Sequence, residues 1–204
     1  MTASAAAARE TFGDRWPTIE RYVDILLSRG VDWGLVGPRE GDRIWDRHIL
    51  NSLAPAELIP ARARVVDIGS GAGLPGIPLA VFRPDLEVTL LDSLHRRVEF
   101  LTQAVADLDL TRRVHVVRGR AEETGGTFDV VVARAVAPLA RLVPWTDRLR
   151  APHGTILALK GGQAAAELAA ADAVLKRRRL RAEVLPRTVH PEVEATTVVR
   201  IRPI

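Results

Sequence analysis

The stretch of the chain with the most pointed chemistry is Val65-Val66-Asp67-Ile68-Gly69-Ser70-Gly71-Ala72-Gly73. A hydrophobic strand runs into an acidic residue and then into three alternating glycines. Glycine lets the backbone turn sharply and lets a ligand approach with no Cβ in the way. In an open α/β sheet such a turn lies at the carboxyl edge, where ligands bind. Gly69, Ser70, Gly71 and Gly73 are therefore candidate ligand contacts. The overlapping Gly71-Ala72-Gly73-Leu74-Pro75-Gly76 also spells GxGxxG, a dinucleotide fingerprint that is weak when it stands alone. Three features turn the reading toward a methyl donor, S-adenosylmethionine. Asp67 precedes the first glycine by two residues, where dinucleotide sites usually carry an apolar residue. This donor has no pyrophosphate, so a carboxylate near the turn is tolerable and can serve its cationic methionyl end. The chain also leaves no second domain to hold a nicotinamide substrate.

Two later carboxylates fit the same ligand. Asp92 ends the second predicted strand, nineteen positions beyond Gly73, where an acidic residue can accept both ribose hydroxyls. Its alternative is a helix N-cap for the segment starting near Arg96. After the third strand comes Arg120-Ala121-Glu122. A backbone N–H and the Glu122 carboxylate can read an adenine amino group there; a solvated loop charge is the other reading.

The segment after the fourth strand bears on the methyl acceptor. Enzymes acting on exocyclic amines typically carry Asp or Asn, two prolines and an aromatic there, whereas this chain has Ala133-Arg134-Ala135-Val136-Ala137-Pro138. Methylation at pyrimidine C5 commonly proceeds through a cysteine adduct, and the chain has no cysteine. Transfer to a ribose 2′-oxygen needs a lysine with a nearby Asp; Lys160 sits at the right strand end, but Arg134 stands where the carboxylate belongs. An acceptor that is nucleophilic without losing a proton survives this elimination, and guanine N7 qualifies. Arg134 and Lys160 are the candidate catalytic residues. Arg134 can position donor and base edge through a planar guanidinium, with a structural salt bridge as its alternative.

These residues need elements to place them. From about Arg64 short apolar runs alternate with helical stretches, the pattern of a parallel sheet with crossover helices. Strands are predicted at Val65–Ile68, Val88–Leu91, Val114–Val117, Val130–Ala133 and Thr155–Leu159, followed by Glu183–Leu185 and Thr196–Ile201 as a closing hairpin. Helices are predicted at Gly76–Phe82, Arg96–Leu108, Leu139–Leu149 and Ala164 to about Arg178. The expected fold is a Rossmann-like α/β domain, residues 61–204, with a seven-stranded, mostly parallel sheet and helices on both faces. Residues 1–60 read as a helical N-terminal extension. There Ile19, Val23, Leu26 and Leu27 share one face, Gly30 is a C-cap candidate, and a second helix runs from about Asp42 to Leu53. Met1–Ala8 reads as a disordered tail and not as a signal peptide.

The chain has 204 residues, 47% of them hydrophobic, and 29 Lys plus Arg against 25 Asp plus Glu, for a net charge of +4. Basic excess suits a polyanionic partner such as RNA. It also suits a G- and C-rich genome, since all but Lys160 and Lys176 of these cations are arginine. The Lys176–Arg179 run is either a solvated helix end or an RNA contact. No metal site and no membrane span are expected, and the protein reads as a cytoplasmic monomer.

The residues above resemble those of the RsmG (GidB) family of bacterial small-subunit rRNA guanine-N7 methyltransferases. The resemblance is carried by Asp46-Arg47-His48-Ile49-Leu50-Asn51-Ser52-Leu53 and by the run from Asp67 through Gly76-Ile77-Pro78-Leu79. It continues in Leu91-Asp92-Ser93, Arg96-Arg97, Phe100-Leu101, Arg120-Ala121-Glu122, Arg134-Ala135 and Leu159-Lys160-Gly161. It implies that Gly69, Leu74, Ala121, Glu122 and Arg134 contact the cofactor, with Ser93 beside Asp92 in the same site. It also implies that Arg96, Arg120, Arg134 and Lys160 line the side facing 16S rRNA or the small-subunit particle. Some relatives carry lysine at the position of Arg96. His48 and Asn51 recur near the pocket in this family pattern, as a helix cap or core polar contact would too. Two other readings stay open: a small-molecule methyltransferase lidded by the helical extension, and a non-catalytic RNA-binding assembly factor.

Overall fold

The β-branched runs of the sequence pair into one seven-stranded sheet in the computed structural model, which describes residues 2–204. The strands are β1 (Arg64–Ile68), β2 (Glu87–Asp92), β3 (Val114–Arg118), β4 (Phe128–Arg134), β5 (Arg150–Lys160), β6 (Leu180–Arg187) and β7 (Thr196–Pro203). Their order is β3-β2-β1-β4-β5-β7-β6, with the first five parallel and β7 antiparallel to both its neighbours. The chain leaves β1 toward β2 and β3, then returns to β4 on its other side. The sheet order therefore reverses between β1 and β4, the place where open α/β sheets form a ligand crevice. Register brings the strand ends level: Ile68 pairs with both Leu91 and Ala133, Asp92 with Arg118, and Arg134 with Leu159. The glycine turn, Asp92 and Arg134 thus emerge along one edge.

Side chains alternate across the strands and divide the core in two. Val65, Val88, Val130 and Val132 face one way, onto helices α3 (Gly76–Phe82) and α4 (His95–Asp107). Val66, Ile68, Val131 and Ala133 face the other, onto α5 (Leu139–Leu149) and α6 (Ala164–Arg177). The N-terminal helices α1 (Ala3–Phe12) and α2 (Trp16–Ile25) join the first layer through Phe12, Ile19, Tyr22 and Val23. A π-helical turn, Leu26–Gly30, extends α2, and a second π-helical segment, Ile44–Leu50, covers the sheet edge near β4. No described helix is long and apolar enough to cross a membrane.

Three expectations are corrected. Ala3–Ala8 is helical, not a disordered tail: alanine has the highest helix propensity, Thr2 accepts from the Ala5 N–H, and Ala7 and Ala8 pack with Leu50 and Val193. Met1 lies outside the described residues. Leu27 is 40% exposed, at the margin of the face that Ile19, Val23 and Leu26 bury. Gly30 does not end the helix, which runs on through Asp32; the Gly30 carbonyl instead accepts from Leu35 and Val36.

Candidate active site at the carboxyl edge of the sheet

The glycine turn is fastened to β2 by backbone bonds. Gly69 N and Ser70 N donate to the Leu91 carbonyl at 2.8 and 3.2 Å. Asp92, 3% exposed, braces the turn from the side: its Oδ2 accepts from Gly71 N and its Oδ1 from Leu94 N, both at 3.0 Å. The N-cap of α4 is Leu94, with no side-chain cap bond, so Asp92 is not the helix cap that the alternative expected; it keeps further lone pairs for a ligand. A Cβ on Gly71 would enter open space, 3.8 Å from its nearest neighbour, the Gly69 carbonyl; one on Gly73 would lie 2.5 Å from Ile77 Cδ1 and 3.1 Å from the Tyr22 hydroxyl. Gly71 is small toward the ligand edge, and Gly73 is small for packing. A cleft of about 410 Å³ opens here, lined by Gly69, Asp92, Ser93, Ala121, Glu122 and Val136 among others, with Arg97 and Arg120 at its side. Ser70 turns inward, its hydroxyl bonded to the Asp67 carbonyl, and Leu74 packs against the core, so neither lines this cleft.

Asp67 is sealed away from the cleft. It is fully buried, its Oδ2 accepts from Gly76 N at 3.0 Å, and its Oδ1 has no partner among the described residues. Burial pushes its pKa up to about 7, against the pull of the Gly76 N–H bond. The carboxylate expected to meet a cationic methionyl end instead holds the start of α3.

A second cleft, of about 590 Å³, shares Ala135 and Val136 with the first and extends over Arg47, Asn51, Arg134, Lys160 and Glu167. Ala135, at the boundary, has φ +54°, a conformation that costs a non-glycine residue energy and marks a constrained turn. Arg134 reaches away from the first cleft into the N-terminal segment. Its Nη1 donates to the His48 carbonyl and Ser52 Oγ at 3.3 Å, and its Nη2 to the Arg47 carbonyl at 3.0 Å and His48 Nδ1 at 3.2 Å. The expected salt-bridge alternative is replaced by neutral acceptors. Lys160 Nζ is tied to the Ala137 carbonyl at 2.6 Å and to Glu167 at 2.8 Å, leaving its side chain 8% exposed. Arg96 is exposed and lies 5.8 Å over the Trp33 ring.

Sequence reasoning missed Tyr22, which is fully buried and donates to the Ala72 carbonyl at 2.8 Å, docking α2 on the glycine turn. It also missed Glu40, bonded to His48 Nε2 at 2.8 Å. Tyr22 carries no local signal, since its partner lies 50 residues away; the Asp46–Leu53 motif was the available pointer to His48 and Ser52.

The first cleft fits S-adenosylmethionine: Asp92 can accept from hydroxyls and Glu122 from an amine, while Gly71 and Gly73, expected as contacts, lie outside its lining. Sheet order, glycine turn and paired carboxylates define a Rossmann-like methyltransferase. Solved structures share the fold: precorrin-6y C5,15-methyltransferase from Geobacter metallireducens GS-15 has a TM-score of 0.56 at 15% identity, over 83% of this chain and 91% of that one. Ribosomal protein L11 methylase from Lactobacillus delbrueckii subsp. bulgaricus has a TM-score of 0.59 at 16% identity, over 76% and 77%. The family model of rRNA small subunit methyltransferase G (GidB) matches residues 15–195, and the chain belongs to this family. Ribosomal RNA small subunit methyltransferase G of Salinispora tropica is 55% identical over 181 residues, 85% of this chain and 75% of that protein. The protein of the same name from Thermobifida fusca is 50% identical over 198 residues, 96% and 83%. The chain is an rRNA small-subunit methyltransferase whose methyl donor is S-adenosylmethionine.

Proposed function

We propose that the methyl acceptor is N7 of a guanine in 16S rRNA. The observation that carries this reading is the state of the second cleft, where Glu167, the carboxylate among its described lining residues, is paired with Lys160. Glu167 Oε2 already accepts from both Lys160 Nζ and Leu139 N. Arg134 only donates. Guanine N7 offers a lone pair in the ring plane and has no proton to surrender, so such a cleft suffices. S-adenosylmethionine supplies an electrophilic methyl group carried on a sulfonium. The protein's share is alignment and exclusion of water, which can lower a barrier by several kcal/mol or more.

In this reading Gly69, Asp92, Ser93, Ala121 and Glu122 hold the donor. Ser70, Gly71, Gly73 and Leu74 shape the turn. Arg134 stands at the acceptor cleft, and Lys160 fixes Glu167 there in place of touching phosphate. Arg96 and Arg120, both exposed, are the RNA contacts, with residues 1–60 forming a cap over the sheet edge. The protein acts as a cytoplasmic monomer. The test is to place 7-deazaguanine at the target nucleotide, which removes the lone pair and keeps the purine shape. Transfer is then abolished while rRNA binding is largely kept. A methyl group mapped to a ribose oxygen, or undiminished transfer to the 7-deaza substrate, overturns the assignment.

A further inference from the structure

Arg134 and His48 come from places 86 residues apart in the chain, and their contact fixes the protonation state of the imidazole. A guanidinium has only donors, so His48 Nδ1, 3.2 Å from Arg134 Nη2, must present its lone pair. The proton of the neutral ring then sits on Nε2, which donates to Glu40 Oε2 at 2.8 Å. Glu40, His48 and Arg134 form a relay that ends at the acceptor cleft, where Arg134 is one wall. Two backbone carbonyls and Ser52 Oγ complete the guanidinium's seat.

We infer that neutral His48 is a positioning residue that locks Arg134 at the acceptor cleft, so that methyl transfer fails on acidification through this imidazole. The inference rests on the acceptor-cleft reading above. A second proton can add only at Nδ1, the atom that accepts from Arg134. It removes that bond and sets an imidazolium against two cations, Arg134 and Arg47. Among the described residues Glu40 is the anion facing the ring, and it opposes this. Behind Arg134 stand the Tyr22 hydroxyl, kept neutral by burial, and Asp67, whose own pKa is raised to about 7. Burial holds the His48 pKa below its ordinary 6.5 despite Glu40, so the ring is neutral at neutral pH. Guanine N7 is a much weaker base than imidazole and does not titrate in this range.

The experiment is the single-turnover transfer rate between pH 5 and 8.5, with S-adenosylhomocysteine binding measured in parallel. Wild type loses rate on acidification, with a midpoint below the ordinary histidine value of 6.5. In His48→Asn the amide oxygen can replace Nδ1 as acceptor and does not titrate. That variant loses the acid limb and keeps the alkaline rate within about fivefold, whereas a general base replaced this way loses it altogether. His48→Ala is slower at every pH, on the order of tenfold or more, with unchanged S-adenosylhomocysteine affinity. Glu40→Gln keeps the Nε2 acceptor but not its charge, and so moves the midpoint further down. An acid limb that survives in His48→Asn, or that vanishes in Asp67→Asn, overturns the proposal. So does a wild-type alkaline rate in His48→Ala. Failure of the N7 assignment reads out separately, as transfer to the 7-deaza substrate.

Discussion

The two clefts that meet at Ala135 and Val136 are built by different means. The donor side is local: Gly69 and Ser70 bond to the end of the adjacent strand, and Asp92 reaches residues 21 positions back and two forward. The acceptor side is long-range: Arg134 leaves its strand for partners 82 to 87 residues away in the N-terminal segment. Charges differ as well. Asp92 accepts from two backbone amides beside its cleft and has only a long ion pair, 3.5 Å, to the half-exposed Arg97, whereas Lys160 and Glu167 pair at 2.8 Å in theirs. The donor edge is thus fastened mainly within the sheet, with Tyr22 of α2 bracing the glycine turn, whereas the acceptor cleft takes its shape from the N-terminal layer.

The sharpest way to break this comparison is to damage one side alone. Arg134→Ala should lower single-turnover transfer on the order of 100-fold, the scale of a misplaced reacting geometry, with S-adenosylhomocysteine affinity nearly unchanged. Arg134→Lys should recover only part, because an ammonium cannot reproduce a planar, four-acceptor seat. Equal losses of donor affinity and rate would mean that the two clefts are one site.

Asp92→Ala is the reverse experiment and the next largest effect. It removes a charged acceptor and strands two backbone N–H groups, each such bond being worth about 1.5–3 kcal/mol. Calorimetry should show S-adenosylhomocysteine binding weakened at least tenfold, while NAD binds neither protein. Saturable NAD binding without a response to S-adenosylmethionine would instead restore the dinucleotide reading of the glycines.

The same division decides what was legible in the chain. The short apolar run of Val65, Val66 and Ile68 around Asp67 placed β1, and the residues expected at the donor edge, Gly69, Asp92, Ser93, Ala121 and Glu122, line one cleft. Strand starts and ends shifted by a few residues, most at β5, which begins at Arg150 because a register shift near Phe128 lengthens its pairing with β4. Arg134 was legible as a residue at a strand end, but not in its direction. A guanidinium can reach toward either cleft, and the acceptors that decide are carbonyls of Arg47 and His48, which no side-chain pattern announces. The helix at Ala3–Phe12 was hidden for a similar reason: alanines give a faint apolar face, and Leu50 and Val193, distant in sequence, supply the surface they bury against.

Asp67 offers a smaller effect, read in stability. Its pKa is about 7 in the folded chain against an ordinary 3.8, so between those values the folded state binds more protons than the unfolded one. Its contribution to stability is whole below pH 4 and is lost as pH rises toward 7. Asp67→Asn keeps an acceptor for Gly76 N and cannot ionise. Relative to wild type it should therefore gain stability as pH rises from 4 to 8, on the order of a few kcal/mol in urea melts. Taking the difference between the two proteins cancels His48, whose lowered pKa acts with the opposite sign, removing stability as pH falls. A constant offset between the two melts would show that folding leaves the Asp67 pKa unshifted, so that the carboxyl is ionised across this range.

The smallest expected effects lie on the surface and test whether the basic excess reaches RNA at all. Arg96 and Arg120 are exposed, and neither forms a salt bridge with a described residue. In the Lys176–Arg179 run, by contrast, Lys176 pairs with Asp172 at 2.7 Å and Arg178 with Asp147 at 3.0 Å. Charges already matched within the protein gain less from a phosphate, so the two groups should separate in one measurement. Affinity for rRNA is taken across a salt series, and each true phosphate contact contributes about one unit to the slope of log K against log salt. Arg96→Gln and Arg120→Gln should each reduce the slope by about one unit without changing sequence preference. Neutralising Lys176 and Arg178 together should change it by less than one Arg96 substitution does. If the Lys176–Arg179 changes dominate, RNA crosses α6 and the acceptor cleft is approached from β5. If no substitution moves the slope, the arginines are compositional and the rRNA is held through the clefts themselves.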